Sequence, residues 1–315
     1  MCISSEGAEM KQEVALQSTA ALEAAHRDYI AFLDAQPRTI QTYTGNIRQF
    51  LKWTAQHGIR EPKRADILKY RDELQERCKP STVQAYITAL RLFFQWTQQA
   101  GLYPNVAEHV KGAKLDADHK KDYLTSGQVR DILDSIDTSS ARGKRDFAML
   151  ALMVTGGLRD IEVSRANIED LRQLGSSTVL YLQGKGRQEK TAYVKVVPAV
   201  ERAIRDYLKT RPQAKGKQPL FASLSNNSKG QRLTTKGISA IVKGRMIDAG
   251  YNSDRLTAHS LRHTAVTLSL IGGLPLEEVQ QFARHKNIST TQIYAHHLKR
   301  EKNRSEDTIA GSIFL

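Results

Sequence analysis

Residues 39–58 read TIQTYTGNIRQFLKWTAQHG, and residues 82–101 read TVQAYITALRLFFQWTQQAG. Nine of the 20 aligned positions are identical, enough to read the two stretches as copies of one helix. Thr39 aligns with Thr82, Gln41 with Gln84, Tyr43 with Tyr86, Arg48 with Arg91, Phe50 with Phe93, Trp53-Thr54 with Trp96-Thr97, and Gly58 with Gly101. In the first copy Ile40, Tyr43, Ile47, Phe50 and Leu51 recur at helical spacing. Each copy closes on a glycine where a left-handed C-cap is needed. Both tryptophans are assigned to the core. The Thr, Gln and Arg positions form the opposite, polar face, and two like helices would present that face to two turns of a groove.

Helices are also expected at about Ala20–Ala35 and Arg64–Arg77, and the second copy is expected to start with a capping box, Ser81 with Gln84. Residues 19–110 therefore read as one four-helix domain. Residues 1–18 are polar and weakly periodic, a loose leader. Residues 111–122 (KGAKLDADHKKD) are charged and aperiodic, an interdomain linker. A second domain, 123–315, opens with a capping box of Thr125 and Gln128, and Leu124 is placed to staple onto Val129. Residues 145–155 are almost wholly apolar and break at Gly156-Gly157 ahead of a short helix near Arg159. Runs 178–183 and 190–197 read as a hairpin, with a third strand near 168–172. Helices follow at 198–209, 235–249, 260–271 and 276–283, and then a charged stretch, 295–315, with a small apolar end. The fold class expected is mostly α with a small antiparallel β-sheet.

The 315 residues carry 47 Lys and Arg against 33 Asp and Glu, a formal net charge of +14. A fold does not need that charge; it argues for a polyanionic partner. No apolar run reaches 18 residues, so no spanning helix is expected, and Met1 to Gln12 lacks the apolar core of a secretory signal. Two cysteines, Cys2 and Cys78, exclude a disulfide scaffold and a thiolate zinc cluster and point to a reducing cytoplasm.

Four constellations in the second domain carry chemistry. Gly157-Leu-Arg159-Asp160-Ile-Glu162 presents a guanidinium fork after a glycine turn, with Glu162 placed to hold the backbone or the arginine. Gly184-Lys185-Gly186-Arg187 puts a lysine at a hairpin tip; it lacks the Walker pattern. His259-Ser-Leu-Arg262-His263 places His259 and Arg262 on one helix face. A zinc site at His259 and His263 lacks the adjoining glutamate and a third ligand of diagnostic spacing. His285 precedes Tyr294 by nine residues, and Tyr294 stands among polar residues.

Taken singly, each has a bland reading as surface charge or structural residue. Together they match phosphodiester transfer. Two guanidinium groups neutralise charge growing on the nonbridging oxygens. A lysine or histidine supplies a proton to the leaving oxygen. A tyrosine beside cations is the nucleophile. A phosphotyrosine stores the energy of the broken bond, so neither ATP nor a metal is called for, and no cofactor is expected.

On these motifs the sequence resembles the tyrosine recombinase (phage integrase-like) family over nearly all of the chain after residue 20. Thr155 to Val163 resembles its T-G-L-R-x-x-E-[LV] pattern, Lys185 its G-K-G lysine, His259 to His263 its H-x-L-R-H box, and Lys286 to Tyr294 the segment ending at its nucleophile. The resemblance implies that Arg159, Arg262 and His285 hold the scissile phosphate. It makes Lys185 the general acid toward the 5′ oxygen, His259 an aid to proton transfer and phosphate binding, and Tyr294 the 3′-phosphotyrosine. It implies a SAM-like core-binding domain and a catalytic domain clamped on duplex DNA with inverted-repeat core sites. It further implies homotetramers on two sites, a Holliday-junction intermediate, docking of the C-terminal tail on a neighbouring subunit, and an accessory protein as a further candidate partner.

The chain is expected to be a compact, Xer-like member without an arm-binding domain. It departs from the pattern where Ala283-Arg284 stands in place of Leu-Gly, and where the acidic Asp160 follows Arg159 and could pair with it. A topoisomerase IB-like enzyme and an inactive DNA binder of the same fold are the alternatives. Arg48, Arg91, Arg187, Lys236, Lys243 and Arg245 are the candidates for contacts to the DNA backbone.

Overall fold

The computed structural model describes residues 19–114, 122–183, 189–301 and 305–314. They fall into two compact units, divided between Ala117 and Asp118.

The first unit is helical. Helix α1 covers Thr19–Phe32, α2 Pro37–Gln56, α3 Arg64–Arg77 and α4 Pro80–Gln99. The duplicated stretches become α2 and α4, both 20 residues long and both led by proline. Proline suits that position because its fixed φ is already helical and the amide proton it lacks has no partner there. Gly58 and Gly101 follow with φ of 64° and 67°, a left-handed geometry that other residues adopt at a cost. The copies match in detail: Phe50 and Phe93 are fully buried, and the buried Thr54 and Thr97 each donate to the carbonyl three residues back. The two tryptophans differ. Trp53 is buried and donates to Glu73 at 2.7 Å, whereas Trp96 is half-buried against Tyr29 and Phe32. The capping box expected at Ser81 is absent. Pro80 starts the helix one residue earlier with Lys79 as cap, so Ser81 lies inside α4.

The second unit combines helices with a three-stranded antiparallel sheet whose strands lie side by side in chain order. Helix α5 covers Ser126–Asp134, α6 Ala141–Gly156 and α7 Asp160–Arg165; β1 is Leu171–Leu174, β2 Ser177–Leu182 and β3 Ala192–Lys195. Leu171 pairs with Leu180, and Leu180 with Val194, which sets the register. Helix α8 covers Pro198–Lys209, α9 Thr235–Asp248, α10 Ala258–Ile271, α11 Leu276–Ala283, α12 Ser289–Glu301 and α13 Ser305–Phe314. The capping box at the head of α5 forms as the sequence predicts: the Gln128 amide donates to Thr125 Oγ1 at 3.2 Å, and the Thr125 amide donates to Gln128 Oε1 at 2.9 Å. Helix α6 is buried nearly all round, and α8 and α10 pack on it.

In the stretch expected to be a charged tail, residues 295–301 and 305–314 are helical. Along α12, Thr291, Tyr294 and Leu298 are buried at i, i+3 and i+7. That spacing is a helical stripe, obscured in the sequence because its first member is polar. Among the described residues no helix is long and apolar enough to cross a membrane.

Candidate active site

The site is built outward from the end of α6. Gly157 turns the chain with φ 57°, and Arg159 caps α7. Glu162, three residues on and 1% exposed, is the pivot. One carboxylate oxygen takes the Arg159 amide at 2.8 Å and Arg284 Nη2 at 3.1 Å, and the other takes Arg159 Nη1 at 2.9 Å. Burial alone would raise its pKa, but the Arg284 charge, the Arg159 amide and the Arg159 charge together hold it below the usual carboxylate range. Asp160 points elsewhere, accepting from the Ser239 hydroxyl on α9 at 2.6 Å. Arg159 thus pairs with Glu162, and the pairing with Asp160 raised by the sequence does not form.

Arg262 reaches in from α10. Its side chain is buried, with Nη1 donating to the Gly157 carbonyl at 2.5 Å and Nη2 to the Ala283 carbonyl. Burial, then the charges of Arg159 and Arg284, push its pKa down to about 9. It remains a cation at neutral pH. Arg284 is one of the described non-glycine residues in the left-handed region, at φ 54°. Its guanidinium bonds the carbonyls of Gly156, Gly157 and Phe282 as well as Glu162. The Gly157 carbonyl is therefore shared by Arg262 and Arg284. The side chain that stands where the family pattern has glycine turns inward and ties together the turn that carries Arg159.

The phenol and imidazoles meet this cationic group. His285 Nδ1 lies 2.9 Å from Thr291 Oγ1, and burial followed by Arg262, Arg159, Arg284 and His259 pushes its pKa down to about 4. Tyr294 lies in an apolar cluster of Val266, Val279 and Ala283, and burial raises its pKa to about 12, with Arg262 and Arg159 pulling the other way. Its hydroxyl bonds His263 Nδ1. The Tyr294 ring is 5.2 Å from that of His263 and 6.4 Å from that of His285, and the His259 ring meets His263 edge-on at 4.6 Å. Such an arrangement can hold an anion by guanidinium and neutral imidazole donors and set a phenol beside it.

The profile of the phage integrase family matches residues 122–301, more than half of the chain, and that of the SAM-like N-terminal domain of phage integrases matches residues 22–102. This chain belongs to the phage integrase family. Among curated relatives it is similar to tyrosine recombinase XerC of Caldanaerobacter subterraneus, 34% identical over 195 residues, which are 61% of this chain and 52% of the relative. Tyrosine recombinase XerD of Listeria innocua is 33% identical over 175 residues, 55% of this chain and 57% of the relative. The match thus spans a little over half the length of these relatives. Among solved structures, the XerH recombinase bound to palindromic difH substrate in a post-cleavage complex has a TM-score of 0.72 at 21% identity, covering 93% of this chain and 84% of that one. A lambda integrase dimer bound to a COC′ core site has a TM-score of 0.70 at 13% identity, covering 93% and 81%. These two likenesses are of fold.

Of the site residues expected in this phage integrase family member, the structure brings Arg159, His259, Arg262, His285 and Tyr294 together. Lys185 lies outside the described residues, as does Arg187. Arg48, Arg91 and Lys236 are exposed. Lys243 and Arg245 are not available as simple surface cations. Lys243 Nζ donates to the carbonyls of Ser253 and Leu256, and Arg245 is held by Asp146 and Asp248. Their contribution is to the interior of the unit. The residue that sequence reasoning passed over is His263. In the sequence its only visible pairing is with His259, whereas its partner in the fold, Tyr294, lies 31 residues on.

Proposed function

We propose that this chain is a site-specific DNA recombinase that cuts and rejoins strands through a 3′-phosphotyrosine. The observation that carries the reading is the Tyr294 hydroxyl set beside His263, within the field of Arg262 and Arg159, at the position where the family pattern has its nucleophile. Arg159, Arg262 and His285 bind the scissile phosphate. The arginines supply charge for the oxygens of the pentacoordinate transition state, and the neutral imidazole supplies a hydrogen bond. Tyr294 attacks phosphorus and the 5′ oxygen leaves. Lys185 protonates that oxygen, and His259, exposed on α10, assists proton transfer and phosphate binding. The 5′ hydroxyl of a second strand then attacks the phosphotyrosine, and exchange of one strand pair yields a Holliday junction.

The partner is duplex DNA with inverted-repeat core sites. The net charge of +14, the DNA complexes formed by proteins of like fold and the exposed Arg48, Arg91 and Lys236 support it. The working form is a homotetramer on two sites. Helix α13, with Ile309, Ile313 and Phe314 exposed, is the segment offered to a neighbouring subunit. The 19–110 domain holds the DNA, and the 123–315 domain cuts it.

The test is a nicked suicide duplex carrying a site selected by the full chain from random-sequence DNA, with EDTA present. Wild type is expected to form a covalent band on a denaturing gel. Tyr294→Phe is expected to bind the duplex and form none. An adduct in the variant would remove Tyr294 from its role, and no adduct in wild type despite tight binding would make the chain an inactive binder.

A further inference from the structure

We propose that His263 is the general base of strand cleavage, taking the proton from the Tyr294 hydroxyl as that oxygen attacks phosphorus. The inference rests on Tyr294 being the nucleophile, as argued above, and adds a residue to the reaction. His263 is buried on α10, one residue past Arg262, and its Nδ1 faces the phenol oxygen. With the imidazole neutral and its proton on Nε2, the phenol donates to Nδ1.

A base is needed because the phenol is buried. With its pKa pushed up to about 12, Tyr294 is almost wholly un-ionised near neutral pH. The other groups around the pair are poorly placed. Glu162 is bound by two guanidinium groups. His285 has Nδ1 engaged with Thr291 and is a weak base at a pKa of about 4. His259 meets the edge of the His263 ring. Arg159 and Arg262 act on Tyr294 as cations, and Arg284 lies behind them on Glu162. That leaves the His263 imidazole, whose Nδ1 is in contact with the proton that must move.

The step balances. The Tyr294 Oη–P bond forms and the P–O5′ bond breaks. The phenol proton passes to His263 Nδ1, and the freed 5′ oxygen takes a proton from Lys185. On resealing, the 5′ hydroxyl gives its proton back to Lys185 as the P–O5′ bond forms, the Tyr294 Oη–P bond breaks, and the His263 imidazolium returns its proton to the departing phenol oxygen.

The experiment is single-turnover cleavage by the full chain on the selected nicked duplex, read across pH 6 to 9. His263→Asn keeps an acceptor at the position of Nδ1 but no basic nitrogen. It is expected to bind the duplex as wild type does and to cleave about 10²-fold or more slowly at pH 7. Its rate should depend more steeply on pH than that of wild type, because hydroxide must replace the missing base. A 5′-bridging phosphorothiolate, whose sulfur leaves without a proton, should restore Lys185→Ala and leave His263→Asn slow. His263→Ala should regain adduct formation on addition of imidazole.

The proposal is overturned by His263→Asn cleaving at the wild-type rate or faster, which would make the contact a restraint on the tyrosine. It is equally overturned if sulfur restores that variant, or if a DNA-binding His263→Ala ignores imidazole. An adduct formed by Tyr294→Phe in a parallel lane would instead break the nucleophile assignment beneath it.

Discussion

Two arginine clusters lie in the second unit, and they are built differently. In the first, Asp146 is gripped on both sides. Arg145 donates Nε and Nη2 to Oδ1 at 2.8 and 2.7 Å, and Arg245 donates Nε and Nη2 to Oδ2 at 3.0 and 2.6 Å. Arg245 also pairs with Asp248, so the charges cancel. In the second, Glu162 pairs with Arg159 and Arg284 while Arg262 bonds two backbone carbonyls, so among the described residues three guanidinium groups stand around one carboxylate. The pKa of Arg245 is raised because its two carboxylates outweigh its burial, while burial, and then the charges of Arg159 and Arg284, push that of Arg262 down to about 9. A closed cluster holds a fold together. An open one lacks an anion, and a phosphodiester that gains negative charge on the way to its transition state matches that lack.

The sharpest way to break this contrast is Arg262→Gln. Removing a cation from the open cluster should slow covalent-adduct formation by about a thousandfold, far more than its effect on the urea midpoint accounts for. A large loss of stability with cleavage intact would reverse the two assignments. Asp146→Asn is the converse. It leaves the buried Arg145 without its carboxylate and should cost about 3 kcal/mol in urea unfolding, while folded protein cleaves at the wild-type rate.

A smaller change is expected for Arg284→Gly. It relieves a left-handed backbone and takes one charge from the surplus without removing a donor to the phosphate, so adduct formation should fall by less than the roughly hundredfold that losing one such donor costs. Faster cleavage would mean that Arg284 competes with the substrate for the site.

The smallest effect is one of pH. Burial and the surrounding cations hold the His285 pKa at about 4, against about 6.5 in the unfolded chain. Between those values the unfolded chain binds a proton that the folded chain refuses. The stability contributed by neutral His285 is therefore full above about pH 6.5 and lost as pH falls toward 4. His26 in the first unit, also lowered chiefly by burial, acts with the same sign. The urea midpoint should drop across that window, and His285→Gln should remove part of the drop. An unaltered slope would show that the cluster's surplus charge does not reach His285.

What was legible in the sequence was mostly local. The Thr125–Gln128 box, the glycine ends of α2, α4 and α6 and the bounds of α3, α8 and α11 follow from residues within a turn or two of one another. The start of α4 was misread because a serine cap and a proline at the first helical position stood side by side, and the proline, with φ already set, won. Tyr294 was read as one of a polar run because burial on α12 is decided by the face that α10 and α11 cover. Lys243 and Arg245 looked like surface cations because a charge on an exposed-looking helix does not announce that it is taken; the Asp146 that holds Arg245 is 99 residues away.

The sequence by itself determined the helical duplication, the two-part organisation it predicts and the identity of the groups suited to phosphoryl transfer, since each is written in residue type and short-range spacing. Only the tertiary structure decided which arginines are engaged and which are in surplus, that Arg284 turns inward onto Glu162 and the glycine turn, and that His263 meets the phenol. Those outcomes depend on which distant groups share a desolvated space, where an unmatched charge or an unpaired polar atom is costly, and spacing along the chain carries no record of that distance.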